Sequence, residues 1–172
     1  MKCNILTWNV RGLNCLNKRW MVKNLLRQWR VDIVCLQETK LDFISRSIIN
    51  SLWGCSYVDW CYVASIGASM GILLMWDKRV VSRLEMEVGD YVATCSFKNV
   101  VDGFEWAFAR VYGPNGNSDR RWLWDELVGL LSSWDLPTLD WSQNTSELST
   151  ATSSSPMRAS QATSSFIRKI DL

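Results

Sequence analysis

Two short stretches carry the residue types that could do chemistry. "LTWNVRGLN", from Leu6 to Asn14, ends an apolar run in an amide, Asn9, and "VCLQETK" places a carboxylate, Glu38, directly after another apolar run. An amide beside a carboxylate makes an all-oxygen site. Hard cations such as Mg2+ take oxygen ligands, typically one or two carboxylates completed by water and substrate phosphate. Taken singly, each residue has a plainer reading: a strand-end asparagine forms turns, and a strand-end glutamate is solvated or caps a helix. Only the pair, brought to adjacent strand ends, points to a metal.

The elements between them decide whether they meet. Lys2 to Val10 reads as a strand buried on both faces. Asn17 to Trp29 reads as a helix, with Val22, Leu25, Leu26 and Trp29 spaced i, i+3, i+4, i+7. Its other face carries Lys18, Arg19, Lys23, Arg27 and, just beyond, Arg30. Val31 to Leu36 is a second short apolar strand. A strand–helix–strand crossover makes its two strands parallel and right-handed in nearly every case. Parallel strands end on one edge of the sheet, so Asn9 and the residues after Leu36 should converge.

Further along, Ile44, Ile48 and Leu52 mark a short helix that Gly54 could terminate. Five strands follow, at Ser56–Ala64, Ile72–Trp76, Val80–Glu87, Tyr91–Lys98 and Phe104–Tyr112. They are separated by turn signals at Gly67, Asp77-Lys78, Gly89-Asp90 and Asp102-Gly103 and read as an antiparallel meander. Ser118 can cap a helix running to about Ser133, with Pro137 after it. From 138 to 165 the chain is dominated by Ser and Thr and is too poor in large apolar residues to offset the entropy of ordering, so it reads as mostly disordered. "FIRKIDL" at the end reads as a short helical piece.

Composition sets limits. With 172 residues and 48% apolar content, the chain can form a real core. Nineteen basic against 17 acidic residues leave a net charge of +2, too balanced to announce a nucleic-acid binder, so any DNA contact must come from a local patch. Cysteines at 3, 15, 35, 55, 61 and 95 show no C-x-x-C pair, and no histidine is present to complete a zinc set. Several lie in strand-like runs, which favours reduced thiols and an intracellular chain. The start lacks a signal-peptide core, and no apolar run approaches the ~20 residues needed to span a bilayer. The eleven tryptophans, scattered along the chain, suit a sandwich core better than a base-stacking platform.

"TWNVRGLN", "VCLQETK", "GILLMWD", "VYGP" and "RRWLWDEL" occur in this order and spacing. Together they resemble the endonuclease domain of plant non-LTR (LINE-type) retrotransposon polyproteins. That domain belongs to the endonuclease/exonuclease/phosphatase superfamily, with apurinic-site endonucleases and deoxyribonuclease I. The resemblance covers Met1 to Pro137. It implies an α/β (α+β) fold, a two-sheet sandwich flanked by helices, with the site where strand ends and loops meet. Residues 1–137 would form the N-terminal part of such a domain and 138–172 a Ser/Thr-rich tail.

By this resemblance Glu38 matches the metal-binding glutamate, Asn9 the asparagine beside it in the metal and phosphate site, and Tyr112 the residue that contacts the scissile phosphate. All three are the implied catalytic residues, and Glu38 and Asn9 the implied metal ligands. Arg11 and Lys40 would hold the DNA backbone at the rim. Mg2+ is the implied cofactor, DNA the implied partner, and the nucleus the implied location. The implied reaction is phosphodiester hydrolysis: a metal polarises the phosphate, a histidine–aspartate pair activates water, and an aspartate with an asparagine orients the nucleophile.

Two departures stand out. The family's Gly-Asp-Phe-Asn and Ser-Asp-His motifs are missing; Asp140-Trp141 is at best a degraded echo of the first, and no histidine exists to serve as base. The expectation is a remnant endonuclease domain, incomplete at the C-terminus and catalytically impaired. Uncovered apolar residues would each forfeit about 1.5–3 kcal/mol, so marginal folding and self-association through an exposed sheet edge are expected too. Two other readings stay open: a non-catalytic module that binds nucleic acid or phosphate, and a phosphatase or phospholipase relative.

Overall fold

The computed structural model describes residues 3–66, 69–88, 92–111, 125, 129, 138–141 and 166–170. The chain divides into two compact units, residues 1–80 with 164–172, and residues 81–163.

The first unit is a five-stranded sheet with two helices. Its strands are β1 (Asn4–Asn9), β2 (Ile33–Gln37), β3 (Val58–Ile66), β4 (Ser69–Asp77) and β9 (Phe166–Ile170), in the order β3-β4-β2-β1-β9. As the crossover rule requires, β1 and β2 are parallel, and their register runs from Ile5 opposite Ile33 to Asn9 opposite Gln37. Both strands are buried on both faces, the usual fate of parallel strands in the middle of a sheet. The crossover helix α1 (Leu16–Gln28) buries Val22 and Leu26, which join Leu6, Trp8, Val34, Leu36, Leu73 and Met75 in one core. Helix α2 (Arg46–Leu52) is capped by Ser45, whose hydroxyl accepts the Ile48 amide at 3.4 Å. It ends because Trp53 turns extended and buries its ring, not because of Gly54, whose backbone does not take the left-handed form.

The second unit holds β5 (Val81–Val88), β6 (Val92–Asn99), β7 (Glu105–Val111) and β8 (Thr138–Trp141) in that order. The five middle strands therefore do not form one meander. β3 and β4 are a hairpin of the first sheet, with β4 antiparallel to β2, while β5, β6 and β7 meander in the second. Burial explains the split. Ile72 to Trp76 is a continuous buried run suited to an interior position between β2 and β3, whereas β5 is exposed from Ser82 to Glu85 and stands at an edge. A bulge between Arg83 and Met86 bends that edge, and Glu85 donates its amide to the Ser96 hydroxyl at 3.0 Å. The Asp102-Gly103 turn is present, with Gly103 left-handed and its amide bonded to Asn99 O.

Two segments differ from the sequence reading. Thr138–Trp141, the first residues of the stretch read as disordered, form β8, parallel to β7. "FIRKI" is a strand and not a helix: β9 lies parallel to β1, from Asn4 opposite Phe166 to Trp8 opposite Ile170. Five residues are too few to separate a period of 2 from one of 3.6, and the free edge of buried β1 supplies hydrogen bonds that local propensity cannot anticipate. Asp125 and Gly129 are helical; the rest of the helix expected from Ser118 to Ser133, the Gly67 and Gly89-Asp90 turns and the rest of the Ser/Thr-rich stretch lie outside the described residues.

All six cysteines are free thiols, and burial pushes Cys3 up to about 12, so it is chemically inert. Trp8, Trp53, Trp76 and Trp106 are buried, but Trp20 on α1 is 66% exposed and is no core residue. Among the described residues, no helix is long and apolar enough to cross a membrane.

Candidate functional site

The carboxyl ends of β1 and β2 bring the amide and the acid together. Asn9 Nδ2 donates to Glu38 Oε1 at 2.7 Å, and Asn9 Oδ1 accepts the Arg11 amide at 3.1 Å. Beyond the sheet the two strand-end loops keep pairing. Gly12 N donates to Glu38 O at 2.6 Å and Leu13 N to Thr39 O at 2.8 Å, while Thr39 N donates to Gly71 O at 3.1 Å. Three strands, β1, β2 and β4, are thus tied at one rim.

That rim is strained. Arg11, Glu38 and Lys40 all adopt left-handed backbone, with φ of 48°, 52° and 55°. For residues with a Cβ this costs about 1–2 kcal/mol each, and such clusters survive where the surroundings over-determine them, often at functional sites. Here the loop-to-loop hydrogen bonds supply the constraint.

Two glycines shape the rim. Gly12 has φ of 104°, and a Cβ there would meet Lys40 Cδ at 3.4 Å, so the lysine stem lies across Gly12. Gly71, with φ of 88°, leaves room for Thr39: a Cβ at 71 would collide with Thr39 Oγ1. The sequence reading began this strand at Ile72 and missed Gly71. An isolated glycine ahead of an apolar strand run, a sign of close backbone approach, was the available signal.

The two cations anticipated from the sequence, Arg11 and Lys40, are exposed, and each lies two residues along the chain from Asn9 and Glu38 respectively. Helix α1 adds to them. Lys18 Nζ lies 3.5 Å from Arg11 O, and the Arg19 guanidinium donates to Leu13 O at 2.8 Å and Asn14 O at 3.2 Å. Cys15, exposed at the start of α1, makes no capping bond as a thiol. The amides of Lys18 and Asn17, then the charges of Arg19 and Lys18, hold its pKa below the ordinary value. Tyr112 lies outside the described residues, one position after the end of β7.

Oxygen donors dominate the site. One Glu38 oxygen is engaged by Asn9; the other makes no hydrogen bond among the described residues. No group of three or more His, Cys, Asp or Glu side chains is gathered there or elsewhere among those residues. This donor set fits a hard cation held by one carboxylate and otherwise by water and phosphate oxygens; it does not fit a closed, all-protein cage.

A second charged cluster lies at the opposite end of the strands. Arg79 binds Asp77 through two nitrogens, the shorter contact 2.5 Å, and covers the Tyr57 ring at 4.8 Å. Asp77 is held below the ordinary carboxylate value by the Arg79 hydrogen bonds, while burial raises Asp32 despite its bond from the Asn4 amide. This cluster ties the opposite end of the sheet together through the Arg79–Asp77 pair.

The comparisons agree with this architecture. Residues 6–140 match the model of the Endonuclease/Exonuclease/phosphatase family. No curated protein matches the sequence. Among solved structures, an endonuclease/exonuclease/phosphatase family protein of Bacteroides thetaiotaomicron superposes with a TM-score of 0.60 at 14% identity, covering 80% of this chain and 62% of that one. A mannosyl-6-phosphatase of the same organism also scores 0.60 at 14% identity, covering 80% and 63%. The human Nocturnin catalytic domain with bound sulfate scores 0.56 at 12% identity, covering 79% and 61%. The chain thus spans less than two thirds of these structures, and identities this low speak for the fold alone. With the family match over most of its length and two sheets with few helices, the chain belongs to the Endonuclease/Exonuclease/phosphatase family.

Proposed function

We propose that the rim of β1 and β2 is the cation- and phosphate-holding part of a Mg2+-dependent, DNA-nicking phosphodiesterase site of the LINE-type retrotransposon branch. The observation that carries this reading is the Asn9–Glu38 hydrogen bond of 2.7 Å at the ends of two parallel strands. Glu38 would hold the cation through its free oxygen, with Asn9 fixing the other. Tyr112 would contact the scissile phosphate, and Arg11 and Lys40 the DNA backbone to either side. Mg2+, when bound, supplies charge neutralisation and polarisation of the phosphate. Action on DNA in the nucleus follows from this reading.

Hydrolysis needs a base as well, and these 172 residues hold no histidine. A positioned general base contributes about 10²- to 10⁴-fold, so the chain by itself turns over slowly or not at all. That absence favours a second reading, a non-catalytic module that binds DNA or phosphate through the same rim. The exposed edge at β5 supports self-association at high concentration.

The test is filter binding of duplex DNA across a salt titration, with and without Mg2+, beside plasmid nicking. Binding that Mg2+ strengthens, that Glu38→Ala loses and that falls steeply with salt, with nicking at background, is expected. Mg2+-independent binding that Glu38→Ala leaves intact would sink the metal reading. Nicking by the parent that Glu38→Ala abolishes would overturn the inactive assignment.

A further inference from the structure

The peptide that joins Glu38 to Thr39 is clamped from both sides: its carbonyl accepts from Gly12 N at 2.6 Å, and its N–H donates to Gly71 O at 3.1 Å. This one peptide plane sets where the Glu38 side chain leaves the backbone. Residues 38 and 40 are both left-handed, so the loop has little freedom of its own to hold that plane.

Thr39 sits at the centre. It is completely buried, and its Oγ1 has no hydrogen-bond partner among the described residues. A buried hydroxyl left without a partner works against folding, so its presence calls for a reason other than stability. The reason is size. Oγ1 occupies the space that the missing side chain of Gly71 leaves open. Alanine would leave the seat empty and valine would overfill it. Threonine is also stiff at χ1, so a seated side chain resists rotation of the peptide before it.

We propose that Thr39 is a positioning residue for Glu38: its side chain, lodged against Gly71, locks the Glu38–Thr39 peptide in the orientation that delivers the carboxylate to Asn9. The assignment rests on the reading of Glu38 as a metal ligand and names the residue that sets its aim.

Mn2+ titration of the full chain, followed by electron paramagnetic resonance, tests it. Thr39→Ser keeps the seated oxygen and should bind Mn2+ within about twofold of the parent, whereas Thr39→Ala and Thr39→Val should each lose about tenfold, the loss typical of a disturbed outer partner of a ligand. Unfolding midpoints of the same variants separate aim from stability. The Mn2+ loss of Thr39→Ala and Thr39→Val should appear under conditions where each variant is still fully folded, and a loss seen only where the variant has begun to unfold overturns the proposal. Thr39→Ala and Thr39→Val binding like the parent, where Glu38→Ala does not bind, overturns the proposal. If Glu38→Ala binds Mn2+ like the parent, the metal reading itself fails, and the lock is judged by amide exchange alone. Faster exchange at Gly12 in Thr39→Ala, with Leu36 unchanged, then supports the lock, and unchanged exchange at Gly12 overturns it.

Discussion

Asn9 faces Gln37 across the parallel ladder, yet its side chain bonds Glu38, one residue further on, at 2.7 Å. In a continuing strand, residue 38 would point to the opposite face from residue 37. The left-handed turn at Glu38 returns its side chain to the face that Asn9 occupies. The meeting of amide and acid therefore depends on a backbone conformation that glutamate adopts only under constraint.

That strain is measurable. Glu38→Gly should be more stable than Glu38→Ala by about 1 kcal/mol, because only glycine takes positive φ freely. Urea denaturation of the two variants is the check; equal midpoints would show that the turn relaxes once the carboxylate is gone. Both variants should lose Mg2+ binding.

Gly71→Ala should be costly for two reasons at once. The new Cβ collides with Thr39 Oγ1, and φ of 88° is unfavourable for alanine. A loss of about 2–4 kcal/mol is expected from the sum of backbone strain and overpacking, read as a lower midpoint in thermal or urea unfolding. A change near zero would mean that this glycine is not the seat of the rim.

Deleting residues 164–172 removes β9 and turns β1, the strand that carries Asn9, into a sheet edge. Exposed edges recruit other chains. Size-exclusion chromatography should show more self-association in the shortened chain than in the parent at equal concentration. Identical elution would argue that β9 does not protect β1.

The far end of the sheet predicts the pH response. The Arg79 hydrogen bonds depress the Asp77 carboxyl, so this contribution is present above the usual carboxylate range and is lost as pH falls through the folded value. Burial raises Asp32, so its contribution has the opposite sign: it is present at low pH and is lost as pH rises through the folded value. Arg79→Ala should therefore weaken the chain at pH 7 and flatten its acid sensitivity. Asp32→Asn, which can still accept the Asn4 amide, should raise stability at pH 7 and leave it unchanged at pH 3. Urea midpoints between those pH values test both signs.

Much of the site was legible in the residues. Apolar runs and a 3.6-residue stripe mark β1, α1 and β2, and a crossover of that length leaves the two strands one sensible relation, parallel with shared ends. From that alone the strand ends that carry Asn9 and Glu38 must come to one rim of the sheet. Less was legible in the middle. Alternation and burial say that a segment is a strand but not which strand it joins, so the hairpin of β3 and β4 could not be assigned to the first sheet, and β9 could not be matched to β1 from more than 150 residues away.

The sequence by itself determined which residue types meet at the rim, because periodicity and crossover handedness are local rules. Only the tertiary structure decided how they meet: the left-handed turn of Glu38, the seat that Gly71 leaves for Thr39, and the strand that covers β1. None of these is a preference of the residues involved. Each is imposed by hydrogen bonds and contacts from segments distant in the chain, which no local pattern records.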